Sequence, residues 1–181
     1  MRDLGEREIR AIRAGLCLAG IGALVLALGF FQSAHWATDL WPWSDTPLSF
    51  IFIASILAAI ALPALWIGVS GEPAAIQAGA LELSITYGSI FVYLLTLSGD
   101  PGQPSLRWYE IAFGAAAASS LAVFLWSRRI PWRDHREIPA PVRGSFTLLT
   151  AVLLAAGTAL ILGADIFPWD LRSETSVIFG F

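Results

Sequence analysis

The chain alternates long apolar runs with short polar interruptions, and the runs have the length of membrane-spanning helices. A helix rising 1.5 Å per residue needs roughly 20 apolar residues to cross a hydrocarbon core about 30 Å thick. Five stretches meet that requirement: Ile12–Phe31, Leu48–Val69, Ala74–Leu97, Tyr109–Trp126 and Phe146–Phe167. The pattern predicts an all-α protein, a polytopic bundle of about five transmembrane helices forming one transmembrane domain over residues 1–181. The basic start followed by an apolar run also suits a secretory signal. The run lasts through Gly29-Phe30-Phe31 without a small-residue cleavage site, so it is read as a retained span.

Composition agrees with the pattern. Of 181 residues, 56% are hydrophobic and only 14% charged, with a mean hydropathy of +0.68. A soluble domain carries about a quarter charged residues. The lone cysteine, Cys17, excludes an intramolecular disulfide framework.

Charge adds orientation. All eleven basic residues are arginine. Arg2, Arg7, Arg10 and Arg13 precede the first span, and Arg128, Arg129, Arg133, Arg136 and Arg143 separate the fourth from the fifth. Four crossings put these nine on one side of the membrane, leaving Arg107 and Arg172 on the other. Cytoplasmic segments are the ones enriched in basic residues. The N-terminus is therefore expected inside and the C-terminus outside, in a bacterial cytoplasmic (inner) membrane. None of the eight tryptophans falls mid-span, in keeping with the interfacial preference of indole.

Small residues mark expected packing seams: Ala11, Gly15, Ala19, Ala23 and Ala27 in the first span, Ala151, Ala155, Ala159 and Gly163 in the fifth. The fourth carries Gly114, Ala115 to Ala118, Ser119 and Ser120, and Pro63 should bend the second.

Two turns echo each other. Asp39-Leu40-Trp41-Pro42-Trp43 follows the first span and Asp165-Ile166-Phe167-Pro168-Trp169 the fifth, each reading acid, aliphatic, aromatic, Pro, Trp. A parallel internal repeat would produce this, and so would two interfacial turns of similar chemistry. Residues 173–181 are expected to form an apolar tail in the interface or against a partner or, under the repeat, the start of a sixth span that is cut short. Trp41-Pro42-Trp43 followed by Thr46-Pro47-Leu48 resembles a loop pattern of uncharacterised bacterial polytopic membrane proteins. The resemblance implies a multi-span helical fold and brings no activity with it.

Candidate chemistry is sparse. Glu82 is the one deep carboxyl, heading a stripe with Thr86, Ser89 and Tyr93 at helical spacing. It could serve as a proton or cation site, or as an interhelical hydrogen-bonding group facing a neighbouring helix. His35 is a weak candidate for cofactor binding, with no second metal ligand at useful spacing. Arg128, Arg129, Arg133 and Arg136 could contact lipid headgroups or a partner. No nucleotide loop, dinucleotide fingerprint, metalloprotease or hydrolase motif occurs. No cofactor, metal or nucleic-acid partner is implied, and enzymatic activity is not expected. The sequence favours a non-catalytic membrane subunit that packs against other membrane proteins in a larger complex, with lipid or pigment held at its edges. The alternative is a small transporter, or half of one, that uses Glu82.

Overall fold

The computed structural model describes residues 6–98, 106–131 and 137–181. The described residues form α-helices joined by turns and one 3-10 turn, with no strand among them. Five helices are long and apolar enough to cross a membrane. They are α1 (Glu6–Phe31), α3 (Pro47–Ser70), α4 (Ile76–Leu97, extended at its start by a 3-10 turn at Pro73–Ala75), α5 (Arg107–Ser127) and α6 (Ala140–Ile161). Two short helices complete the set, α2 (His35–Thr38) and α7 (Ser173–Gly180). The chain divides into two compact units, residues 1–133 and 134–181.

In the first unit α1 pairs with α3 and α4 with α5. Close approach in the first pair depends on glycine. A Cβ on Gly20 would lie 2.6 Å from the Leu65 side chain, and one on Gly68 would lie 2.7 Å from the Cys17 sulfur. The face of α1 that packs within the unit carries Ile12, Leu16, Gly20, Ala27 and Phe30, so of the expected small-residue stripe Ala27 alone is buried there. Ala11, Gly15 and Ala19 are exposed. Strict four-residue spacing drifts about 40° around a helix at each step, so such a stripe winds off any straight seam. Spacings that mix three and four stay on one face. Below, Ile67, Ile76 and Ala80 form a buried cluster with Ile12, Leu16 and Phe124 packed against it, tying α1, α3, α4 and α5 together.

Local capping follows the residues. Thr46 caps α3, its hydroxyl accepting from the Ser49 N–H at 3.3 Å, and Pro47 takes the first helical position, where no N–H is needed. Pro63 lies inside α3, and the helix runs through it to Ser70.

The fifth span, α6, differs most from the hydropathy reading. It starts and ends six residues earlier than the predicted 146–167. Hydropathy continues past Ile161 through Leu162, Ala164, Ile166 and Phe167, but Gly163 adopts a left-handed φ of 76°. Its N–H donates to the Leu160 carbonyl at 3.0 Å, and the Ala164 N–H donates to that of Ala159 at 2.9 Å. This pair of bonds is a Schellman motif, which closes a helix whatever apolar residues follow. The second unit is completed by α7, which turns back antiparallel along α6. Its tail residues Val177 to Gly180 are half-buried. Gly157 and Gly180 meet so closely that a Cβ on Gly157 would sit 2.6 Å from the Gly180 carbonyl oxygen.

Candidate functional site

Glu82 lies in α4, three residues or about 4.5 Å from the midpoint of the Pro73–Leu97 span. The side of α4 that packs within the unit carries Ile76, Ala80, Ile90 and Leu94, all buried. Tyr87 packs against Phe113 of α5 with ring centroids 5.7 Å apart, and Phe91 lies under Gly114. Glu82 points elsewhere. It is exposed, as are its neighbours Leu81 and Ile85 and the preceding turn at Gly79, where an added Cβ would meet nothing within 4 Å. The expectation that its carboxyl faces a neighbouring helix is therefore corrected within this chain. Both sides of α4 are apolar enough to be buried, so periodicity could not say which side the carboxyl joins.

The other stripe residues divide. Thr86, Ser89 and Tyr93 are half-buried, on the flank between the packed and open sides of α4. One exposed carboxyl beside a partly covered polar flank can offer or accept a hydrogen bond to something outside the chain. It does not form an enclosed site.

His35 is exposed at the start of α2, and among the described residues no three His, Cys, Asp or Glu side chains come together as a metal site. Arg128 and Arg129 are exposed at the C-terminal end of α5. The Arg128 guanidinium stands 5.7 Å from the Phe124 ring centroid, a cation–π geometry that leaves its other face open. Arg133 and Arg136 lie outside the described residues.

Arg13 has a role that the sequence did not disclose. Its Nε donates to the Gly68 carbonyl and its terminal nitrogen to the Val69 carbonyl, each at 2.8 Å. The last carbonyls of a helix have no intrahelical donor and carry partial negative charge, so a guanidinium from the facing helix satisfies both needs. Charge counting assigned Arg13 to topology alone; it also closes the α1–α3 pair at the C-terminal end of α3.

The two echoing turns place aromatic rings in contact at the same positions, edge-on in the first and tilted in the second. Trp41 and Trp43 contact at 5.8 Å between ring centroids, and Phe167 and Trp169, the same positions of the second turn, contact at 4.6 Å. The match extends in both directions. Four residues after each Trp a helix begins, at Pro47 and at Ser173. Ser49 and Thr175, each third in its helix, are both fully buried. Before the turns, α1 also closes with a Schellman motif. Ser33, at φ 51°, stands where Gly163 stands in α6, donating to Phe30, while Ala34 donates to Gly29. Phe30 and Leu160, in equivalent places before those motifs, are both buried. Their partners are equivalent in position as well: Phe50, fourth in α3, contacts Phe30 with ring centroids 6.0 Å apart, and the hydroxyl of Ser176, fourth in α7, donates to the Leu160 carbonyl at 3.1 Å. The difference between the copies is α2, four residues inserted in the first.

No family model, curated protein or solved structure matches the chain. The fold defines its class, a helical protein with five candidate membrane spans.

Proposed function

We propose that this protein is a non-catalytic membrane subunit that assembles side by side with other membrane proteins, in a cytoplasmic membrane with its N-terminus inside. The observation that carries the reading is Glu82, exposed near the middle of a span. An ionisable side chain at that depth costs about 3 kcal/mol against lipid. A hydrogen-bonding group on an adjacent subunit offsets that cost. Exposed Leu81 and Ile85 flank the carboxyl with apolar contact surface, and Arg128 and Arg129 offer sites for anionic headgroups or an acidic partner surface.

The test is the size of the assembly extracted in mild detergent or native nanodiscs from the source membrane. The protein should migrate well above its 19.5 kDa monomer. Glu82→Gln, which keeps a hydrogen-bonding group of the same shape, should preserve the assembly. Glu82→Leu should deplete it about tenfold or more while leaving the monomer folded. A monomeric wild type, or an assembly indifferent to Glu82→Leu, would overturn the proposal. If Glu82→Gln kept assembly but abolished a pH-coupled flux in proteoliposomes, the transport reading would replace it.

A further inference from the structure

We infer that the open face of α4 pairs with the same face of a second copy of this chain, the two helices lying parallel about a twofold axis with Glu82 against Glu82. The inference rests on the reading of Glu82 as an assembly contact and names the partner at that contact.

The face is a heptad seam. Ala78, Glu82, Ile85, Ser89, Val92 and Thr96 follow one another at alternating spacings of four and three residues. That alternation averages 3.5 residues per turn, the repeat of a left-handed helix pair. Ser89 is half-buried and the rest are exposed. The seam runs for about 27 Å, close to the thickness of the hydrocarbon core. The residues that pack inside the unit, Ile76, Ala80, Ile90 and Leu94, lie on the opposite side of the helix. Thus α4 carries two seams, one closed by its own chain and one open. Gly79 and Gly88 border the open one, and an added Cβ at either would meet nothing within 4 Å. Such borders let two backbones approach closely.

The order of residues along the seam selects the occupant. Glu82, Ser89 and Thr96 recur every seven residues, and Ala78, Ile85 and Val92 fill the alternate positions. In an antiparallel pair the polar set would face the aliphatic set, leaving the Glu82 carboxyl unpaired in hydrocarbon. A parallel pair sets carboxyl on carboxyl, hydroxyl on hydroxyl and aliphatic on aliphatic. Two copies of one chain inserted in the same orientation present α4 in parallel, so the seam is its own complement. The polar layers also satisfy themselves. A protonated carboxyl donates to the carboxyl facing it, and a hydroxyl both donates and accepts. Glu82 and Ser89 have no hydrogen-bond partner among the described residues, so both can pair in this way. No basic residue stands on α4, so the seam offers the carboxyl no ion pair and its counterpart is its own image. A polar layer of this kind fixes the register of a helix pair.

The test is symmetric disulfide cross-linking of single cysteines in native membranes, in the full chain with Cys17→Ala. Ile85→Cys, Ser89→Cys and Val92→Cys, on the seam, should each give a covalent dimer of twice the 19.5 kDa chain under mild oxidation. Leu95→Cys, exposed but turned off the seam, should give about fivefold less, because a disulfide needs Cα atoms within about 7 Å. Adding Glu82→Leu should lower the Ser89→Cys cross-link about tenfold, and adding Glu82→Gln should retain it. Equal cross-linking at Leu95 and on the seam would overturn the twofold pair. A seam cross-link indifferent to Glu82→Leu would overturn the Glu82 layer. Absence of seam cross-links in an assembly that still depends on Glu82 would overturn the second copy while leaving Glu82 as a contact with a different chain. Absence of both the cross-links and the assembly would overturn the two together.

Discussion

The α1–α3 and α6–α7 hairpins use the same turn to different extents. In the first, the returning helix runs the length of its partner, and contact extends from Phe30 and Phe50 down to Arg13 and Gly68. In the second, the returning helix is eight residues long and covers the C-terminal part of α6 alone. The turn chemistry survives this difference. Both copies close a helix with two backbone bonds, bring two aromatic rings into contact and bury a small hydroxyl residue at the third position of the next helix. The turn is therefore a self-sufficient local unit, while the seam below it depends on what lies opposite. Where α3 lies opposite, Gly20 and Arg13 are engaged; in the second hairpin Thr150 and Arg143, at the equivalent places before Gly163, stand open.

The sharpest way to break the comparison is topological. If the hairpins are equivalent, their turns lie on the same side of the membrane and the segment before α6 lies on the other. In intact cells, Asp39→Cys and Asp165→Cys should both label with a membrane-impermeant thiol reagent and Glu137→Cys should not. The effect is all or none, and opposite labelling of Asp39 and Asp165 would end the equivalence.

The next effect is steric. Gly20→Leu forces a side chain into Leu65 and the Ala61 carbonyl, and should destabilise the α1–α3 pair by about 2–3 kcal/mol, as overpacking does. Gly22→Leu, with nothing within 4 Å of the added Cβ, should change stability by less than about 0.5 kcal/mol. Thr150→Leu, at the place of Gly20 in the open hairpin, should also be tolerated by the isolated chain. Unfolding in detergent, followed by loss of helical signal, measures all three. Equal losses from Gly20→Leu and Thr150→Leu would show that the two helix faces are not open and closed versions of one another.

These contrasts also mark what the sequence could and could not disclose. The spans were legible because lipid demands long apolar runs, and the echo because acid, aromatic, Pro and Trp fix turn chemistry at particular positions. The end of α6 was not, because one left-handed glycine overrides the hydropathy of Leu162, Ala164 and Ile166. The equivalence of Ser33 and Gly163 was hidden by the rarity of serine at positive φ. The role of Arg13 was hidden because charge counting reads the sign of a side chain and not its reach.

A smaller effect concerns capping. Arg13→Leu leaves the Gly68 and Val69 carbonyls without their donors and should cost about 1–3 kcal/mol. Arg143→Leu should cost the isolated chain nothing measurable. Smaller still, Ser33→Gly should stabilise the first hairpin by a few tenths to about 1 kcal/mol, since glycine adopts the observed φ without strain. Denaturation midpoints of the paired variants decide both points.

The shared register itself is tested most directly by paired cysteines in native membranes, in a chain with Cys17→Ala. Phe30→Cys with Phe50→Cys should cross-link under mild oxidation, and so should Leu160→Cys with Ser176→Cys. Shifting the second member of each pair by two residues, to Phe52→Cys and to Ile178→Cys, should abolish both cross-links by moving the thiol to the other side of its helix. The account predicts parallel behaviour of the two hairpins at all four combinations. Cross-linking at Phe30 and Phe50 with none at Leu160 and Ser176, or with preference for the shifted pair, would contradict it.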